Sequence, residues 1–191
     1  MSDTDTALVR RARDGDRQAF EELVRRTSRL VFARLYLDAG DAHRAEDLLQ
    51  DTYLQAFRSL PRLEDPEGFR PWLLTIAHSA LVDAARRDAR QKRTAPPRGD
   101  TPLAAIPGGG PQPEEEAQRE ELRQQVLAVL RSLPEDYRLP LTLRYIVGAD
   151  AEAIGTQLGL TNGALRGLLH RGLKMLRDRL PPELGAGRDE L

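Results

Sequence analysis

The sequence predicts an all-α protein of two small helical domains, an N-terminal helical bundle and a C-terminal helix-turn-helix domain, joined by a flexible Pro/Gly-rich linker. Three observations carry this. Apolar residues recur at three- and four-residue spacing in both halves of the chain and nowhere alternate as a strand would. A middle stretch from Thr94 to about Pro113 is dominated by proline and glycine, with Pro107-Gly108-Gly109-Gly110-Pro111 at its centre. It has too little apolar surface to offset the entropy of ordering it. The length of 191 residues allows one domain or two small ones. The expected boundaries are a domain at 1–93, a linker at 94–118, a domain at 119–181 and a tail at 182–191.

In the first domain a short helix is expected at Asp5–Arg13. Phe20, Leu23, Val24, Leu30, Val31 and Leu35 form one apolar stripe, and Ala45, Leu48, Leu49, Thr52, Tyr53, Ala56, Phe57 and Leu60 a second. Phe69, Trp72, Leu73, Ile76, Ala77, Ala80, Leu81 and Ala84 form a third. Pro61 and Pro66 bracket the connection before the last of these helices.

In the second domain Leu122, Val126, Val129, Leu130 and Leu133 mark a helix that Pro134 ends. A helix from about Asp136 to Val147 carries Pro140 near its first turns, and Gly148 breaks it. Asp150 and Thr161 are N-cap residues for two further helices, with Gly159-Leu160 as the turn between them. The last helix runs to about Leu180, with Leu165, Leu168, Leu169, Leu173 and Leu176 inward.

The short helix, glycine turn and second helix have the spacing of a helix-turn-helix, whose second helix enters a major groove by its N-terminal turns. Charge patterning agrees. The formal net charge is only -1, but Arg86, Arg87, Arg90, Lys92 and Arg93 cluster at one helix end. Arg166, Arg171, Lys174, Arg177 and Arg179 cluster at another, and such local asymmetry points to a polyanionic partner. The aromatic and basic stretch from Phe69 to His78 suits stacking on single-stranded bases, although aromatics at this spacing also serve a core. Glu46, Asp47 and Asp51, beside Gln50, form an acidic helix face that can dock on a basic partner or simply be solvated.

Several functions are excluded by composition. Without cysteine there is no disulfide, zinc ribbon or thiol nucleophile. His43, His78 and His170 share no ligand spacing, so no metal site is expected. The glycine run has no strand before it and no lysine after it, so it is not a phosphate-binding loop. No catalytic set, cofactor or small-molecule substrate is expected. No run approaches the roughly 18 apolar residues of a membrane span, and the N-terminus lacks a signal peptide's apolar stretch. A cytoplasmic protein without membrane insertion is the expectation.

Three blocks together resemble the extracytoplasmic-function (ECF) sigma factors of bacterial RNA polymerase. Asp47-Leu48-Leu49-Gln50-Asp51-Thr52-Tyr53-Leu54-Gln55-Ala56-Phe57 is similar to that family's polymerase-clamp helix, typically AEDLVQETFLRAW. Phe69 to Arg87 resembles its minus-ten helix, typically FRAWLYRIARNLLIDHLRR. Leu133 to Leu180 resembles its minus-thirty-five domain. The resemblance covers residues 17–93 and 119–180.

It implies a promoter-directing subunit that binds core RNA polymerase and promoter DNA and opens the minus-ten duplex, commonly under an anti-sigma factor. Asp47, Leu48, Gln50, Asp51 and Leu54 would face polymerase. For the minus-ten element it implies Arg62, Glu64 and Asp65 in a base-capturing loop, and Trp72, Ile76, Ala77, Ser79, Arg86 and Arg87 on the following helix. For the minus-thirty-five element it implies Thr161, Asn162, Gly163, Ala164, Arg166, His170, Arg171 and Lys174. The linker, with Glu114, Glu115 and Glu116, would thread the polymerase's active-site path.

The chain departs from the family pattern in places. His78 and Ser79 stand where Arg and Asn are usual, so minus-ten preference is expected to differ. Gly167 and Leu168 replace a serine and an arginine that typically meet DNA, which predicts weaker or altered minus-thirty-five binding. Gly167 and Gly172 each cost the helix about 1 kcal/mol relative to alanine. Two other readings are a stand-alone helix-turn-helix transcriptional regulator, which would bind duplex tightly without polymerase, and a helical adaptor that no longer reads promoters.

Overall fold

The computed structural model describes residues 4–94 and 113–181. The interior of the expected linker and the tail at 182–191 lie outside the described residues, as do the side chains of Glu114, Glu115 and Glu116. The described residues contain helices and turns and no strand.

Four helices make the first domain: α1 (Asp5–Arg13), α2 (Arg17–Ala39), α3 (Ala42–Ser59) and α4 (Phe69–Thr94). Each of the first three starts where a short polar side chain accepts a hydrogen bond from the backbone amide three residues on. Thr4 accepts from Ala7, Asp16 from Ala19 at 3.1 Å, and Asp41 from Arg44 at 2.7 Å. Each cap satisfies an amide that the helix cannot, worth about 1 kcal/mol. Gly40 ends α2 at φ 77°, a left-handed turn that lets α3 fold back at once. Two single 3-10 turns, Leu60–Arg62 and Pro66–Gly68, lead into α4.

The predicted stripes meet in one core of Leu23, Leu35, Ala45, Leu48, Leu60, Phe69, Leu73 and Ala77, all buried. Full burial of a large apolar side chain contributes about 1.5–3 kcal/mol. Two stripe positions come out differently from expectation. Phe57 is 47% exposed, its ring edge-on to Phe20 at 5.0 Å, and Leu122 also faces outward.

The second domain comprises α5 (Pro113–Ser132), α6 (Glu135–Leu141), α7 (Ala151–Leu158) and α8 (Asn162–Arg179). Helix α5 starts at Pro113, so 113–118, expected as linker, is helical, and α4 extends through Thr94. Pro140 lies inside α6, beyond the tolerant first turn. It has no amide hydrogen to give, and the chain widens directly after it into a π turn, Thr142–Ile146, closed by Val147 N donating to Thr142 O at 3.0 Å.

Asp150 caps α7, accepting from Ala153 N at 2.7 Å, and Thr161 caps α8, accepting from Ala164 N at 3.3 Å, as their sequence positions require. Gly159 turns the chain at φ 66°. Gly155 meets a tighter demand: a Cβ there would lie 2.9 Å from the Leu160 carbonyl, so only glycine lets α7 approach the turn.

Candidate polymerase and nucleic-acid interfaces

Helix α3 presents Asp47, Gln50, Asp51 and Leu54 on one outward face, and Leu54 is 51% exposed. Phe57, one turn beyond Leu54, continues this face. The 3.6-residue period would have placed it there, since it lies seven residues from Gln50, but its apolar character assigned it to the core. Leu48 is a correction. It is 3% exposed and packs inside the bundle, so it supports the face and cannot contact a partner. The face is held from beneath by Tyr53, whose hydroxyl lies 2.8 Å from Thr27 Oγ1, and the Thr27 hydroxyl donates to Leu23 O at 2.7 Å. Burial pushes the Tyr53 phenol up to about 12, partly opposed by the Thr27 hydrogen bond.

A groove between α3 and α4 joins this face to the basic end of α4. In it Arg87 faces Asp51 at 3.6 Å and Arg44 pairs with Asp88 at 2.6 Å, while Arg86 lies 3.7 Å from Asp83. These are solvated pairs worth at most about 1 kcal/mol, so a phosphate can displace the carboxylates from Arg86 and Arg87.

Arg62, Glu64 and Asp65 sit exposed in the loop ahead of α4. Asp65 is already employed: its Oδ1 accepts from Glu67 N at 2.9 Å and caps the turn Pro66–Gly68. Along α4, Pro71, Thr75, His78, Ser79 and Arg86 form the exposed stripe, with Trp72 half-buried against Phe69 at 5.9 Å. Ser79 returns its hydroxyl to Thr75 O at 3.0 Å. Ile76 and Ala77 are further corrections. At 8% and 0% exposure they anchor α4 to the core and do not reach DNA.

In α8 the predicted positions stay together. Thr161, Asn162, Gly163, Ala164, Arg166, His170, Arg171 and Lys174 are all exposed. Asn162, Arg166 and His170, spaced by four, line an open groove with Arg144 and Tyr145. The Thr161 hydroxyl is spent on the cap, so it orders the helix start. Arg171 lies back along the helix over Gly167, where a Cβ would be 3.3 Å from its guanidinium. Gly172 is instead a packing glycine, seated against Leu141 and Tyr137 of α6. Sequence reading missed this role, because glycine in a helix carries no sign of what crosses it.

Among the described residues no group of His, Cys, Asp and Glu side chains could hold a metal ion, and no helix is long and apolar enough to cross a membrane.

The described residues thus present an acidic and apolar helix face, a basic helix end beside aromatics and an exposed helix-turn-helix. Residues 23–91 match the family described as Sigma-70 region 2, and residues 123–176 match Sigma-70, region 4. The chain is 36% identical over 178 residues to the RNA polymerase sigma factor CarQ of Myxococcus xanthus, covering 90% of this chain and 95% of that one. It is 35% identical over 169 residues to the ECF RNA polymerase sigma factor SigE of Mycolicibacterium smegmatis, covering 87% of this chain but 64% of that longer protein. A solved structure of CnrH in complex with the cytosolic domain of CnrY is similar at 25% identity and a TM-score of 0.47, covering 92% of this chain and 96% of that one. The chain belongs to the ECF sigma factors of the sigma-70 family.

Proposed function

We propose that the chain binds core RNA polymerase through the α3 face formed by Asp47, Gln50, Asp51, Leu54 and Phe57. In this reading the first domain opens the minus-ten DNA and the second reads the minus-thirty-five duplex. The observation that supports it is that α3, α4 and α8 each present an exposed stripe, acidic and apolar on the first and carrying basic residues on the other two. The working domains of this reading are 1–93 and 119–181, the second preceded by the first turns of α5 from Pro113.

Arg62 and Glu64 meet an extruded base in the loop before α4, and Trp72 and Ser79 meet the separated strand. Arg86 and Arg87 neutralise its phosphates. In α8, Asn162, Arg166 and His170 face base edges, while Arg171 and Lys174 face the backbone. The mechanism is binding without catalysis or cofactor: holding both domains on one large enzyme supplies, through effective concentration, affinity that a few salt-sensitive phosphate contacts lack. The protein works in the cytoplasm, and an anti-sigma factor is the regulatory partner that fits this reading.

Run-off transcription with purified core polymerase and genomic promoter fragments tests it. New start sites that appear only when the chain is added are expected. Binding to core without transcripts would point to the adaptor, and tight duplex binding without core binding to a stand-alone regulator.

A further inference from the structure

Helix α4 turns one narrow line of side chains outward. Residues three and four apart share a helix face, and Pro71, Thr75, His78 and Arg86 follow that spacing, with half-buried Val82 between the last two. The four are exposed, as is Ser79 beside them. On the inner side Leu73, Ile76, Ala77 and Ala80 are buried and fix the helix to the bundle, so the line cannot rotate inward.

The polar groups on this line differ in what they have left to give. Thr75 Oγ1 donates to Pro71 O at 3.0 Å, and Ser79 Oγ donates to Thr75 O at 3.0 Å. Each hydroxyl has returned its only proton to the helix, so towards solvent both are acceptors alone. Arg86 is a cation, 3.7 Å from Asp83, and suits phosphate. His78 is different. Among the described residues no hydrogen bond or ion pair engages its imidazole. A neutral imidazole carries one N–H donor and one acceptor nitrogen on a flat ring. On this stretch of exposed residues it is the donor that is neither spent on the helix nor cationic.

Bases freed from a duplex present ring nitrogens and carbonyl oxygens that have lost their partners and require a donor. Thr75 and Ser79 have none to offer. At 1.5 Å per residue, His78 stands about 9 Å along the helix axis from Trp72 and about 12 Å from Arg86. It therefore lies between an aromatic side chain suited to stacking and a cation suited to the backbone.

We propose that His78 is a specificity-determining residue of the minus-ten surface, its ring N–H donating to an acceptor atom on one unpaired base of the separated strand. This rests on the sigma-factor reading above and adds a residue to it. The preference comes from the ring edge, because every base has a π-face and stacking alone tolerates any sequence.

Holoenzyme assembled from purified core polymerase and the full chain is incubated with short single-stranded DNA randomised along its length, and the retained strands are sequenced, with core alone as the baseline. The native chain is expected to enrich a pattern that core alone does not. His78→Ala is expected to flatten the preference at one position of that pattern and to weaken binding of the enriched strand about three- to ten-fold, as the loss of one neutral hydrogen bond does. His78→Gln, whose amide keeps a donor, is expected to restore the preference at that position. His78→Phe, which keeps a flat ring without a donor, is expected not to. An enriched pattern that His78→Ala leaves unchanged overturns the proposal, because the ring then does not read the strand. Retention of the pattern by His78→Phe overturns it too, because the ring then only stacks. So does a uniform loss of binding with the pattern intact, which marks a structural role. If the native chain fails to bind core, or enriches nothing beyond core alone, the sigma-factor reading itself falls, a result distinct from a native pattern indifferent to His78.

Discussion

Two glycines of α8, alike in sequence, are expected to respond oppositely to the same substitution. Gly→Ala inside a helix stabilises by about 1 kcal/mol, because alanine has fewer unfolded conformations to lose. At Gly167 the nearest atom to a new Cβ is the Arg171 guanidinium at 3.3 Å, the far end of a flexible side chain that can move aside. Gly167→Ala is therefore expected to gain most of that 1 kcal/mol. At Gly172 a Cβ would lie 3.0 Å from Leu141 Cδ1 and 3.2 Å from Tyr137 Cδ1, where α8 crosses α6. Overpacking a site of this kind costs about 1–3 kcal/mol, which turns the same propensity gain into a net loss of up to about 2 kcal/mol. Urea unfolding followed by circular dichroism resolves the pair. At slopes of about 1–3 kcal/mol per molar, a 1 kcal/mol change moves the midpoint by about 0.3–1 M. Equal stabilisation by both variants would show that α8 and α6 do not approach at Gly172, and the packing of the helix-turn-helix would need to be redrawn.

The remaining predictions address the other surfaces. Charge reversal at Asp47 and Asp51 together, or Leu54→Ser alone, is expected to cost most of the affinity for core polymerase while shifting thermal stability little. Unchanged binding in a pull-down titration would show that α3 is not the gripping face. Gly155→Ala forces a Cβ to within 2.9 Å of the Leu160 carbonyl, so a loss of about 1–3 kcal/mol and weaker duplex binding by the C-terminal domain are expected in unfolding and gel-shift measurements. Tyr53 carries a phenol raised from 10.0 to about 12 by burial, so its contribution to stability is complete below pH 10 and lost as pH rises towards 12. Tyr53→Phe should flatten that alkaline limb, and a denaturation series between pH 9 and 12 that is identical for the two proteins refutes it. Glu22, lowered to about 2 by its hydrogen bonds to Arg25 and Arg26, acts at the other end of the scale: its contribution is present above pH 4.5 and fades as pH falls towards 2.

Much of this was legible because helices advertise themselves. The stripes of the first domain gave away its core. Asp150, Gly159 and Thr161 marked the helix-turn-helix, since a cap and a left-handed turn each need particular residue types. What sequence could not separate was an apolar residue serving the core from one serving a partner. Leu48 and Leu54 stand six residues apart on α3 and both fit the family's clamp motif, yet one is 3% and the other 51% exposed. Phe57 went wrong in the opposite direction, and Ile76 and Ala77 were assigned to DNA although their spacing placed them inward. The ion pair between Asp51 and Arg87 was equally hidden, because two residues assigned to different partners meet only when α3 and α4 pack.

The departures at Gly167 and Leu168 take on a different meaning in the folded chain. Read along the helix, they are two lost contacts to DNA. In three dimensions Leu168 lines a cavity of about 390 Å³ between the domains, with Leu37 of α2 on one side and Leu139, Leu158 and Leu160 on the other. An arginine there would meet four leucines and two further cations, Arg34 and Arg138, as well as the carboxylates Asp38, Glu135 and Asp136. Gly167 leaves the space over which Arg171 lies, so a cation remains on that stretch of the helix although the usual arginine position is leucine. Helix α8 thus divides its circumference. Asn162, Arg166, His170 and Lys174 keep the outward stripe that the proposal gives to DNA, Leu165 and Gly172 serve the domain's own core, and Leu168 turns to the seam. A helix under three demands cannot keep a consensus written for one, and its composition follows from where each side points.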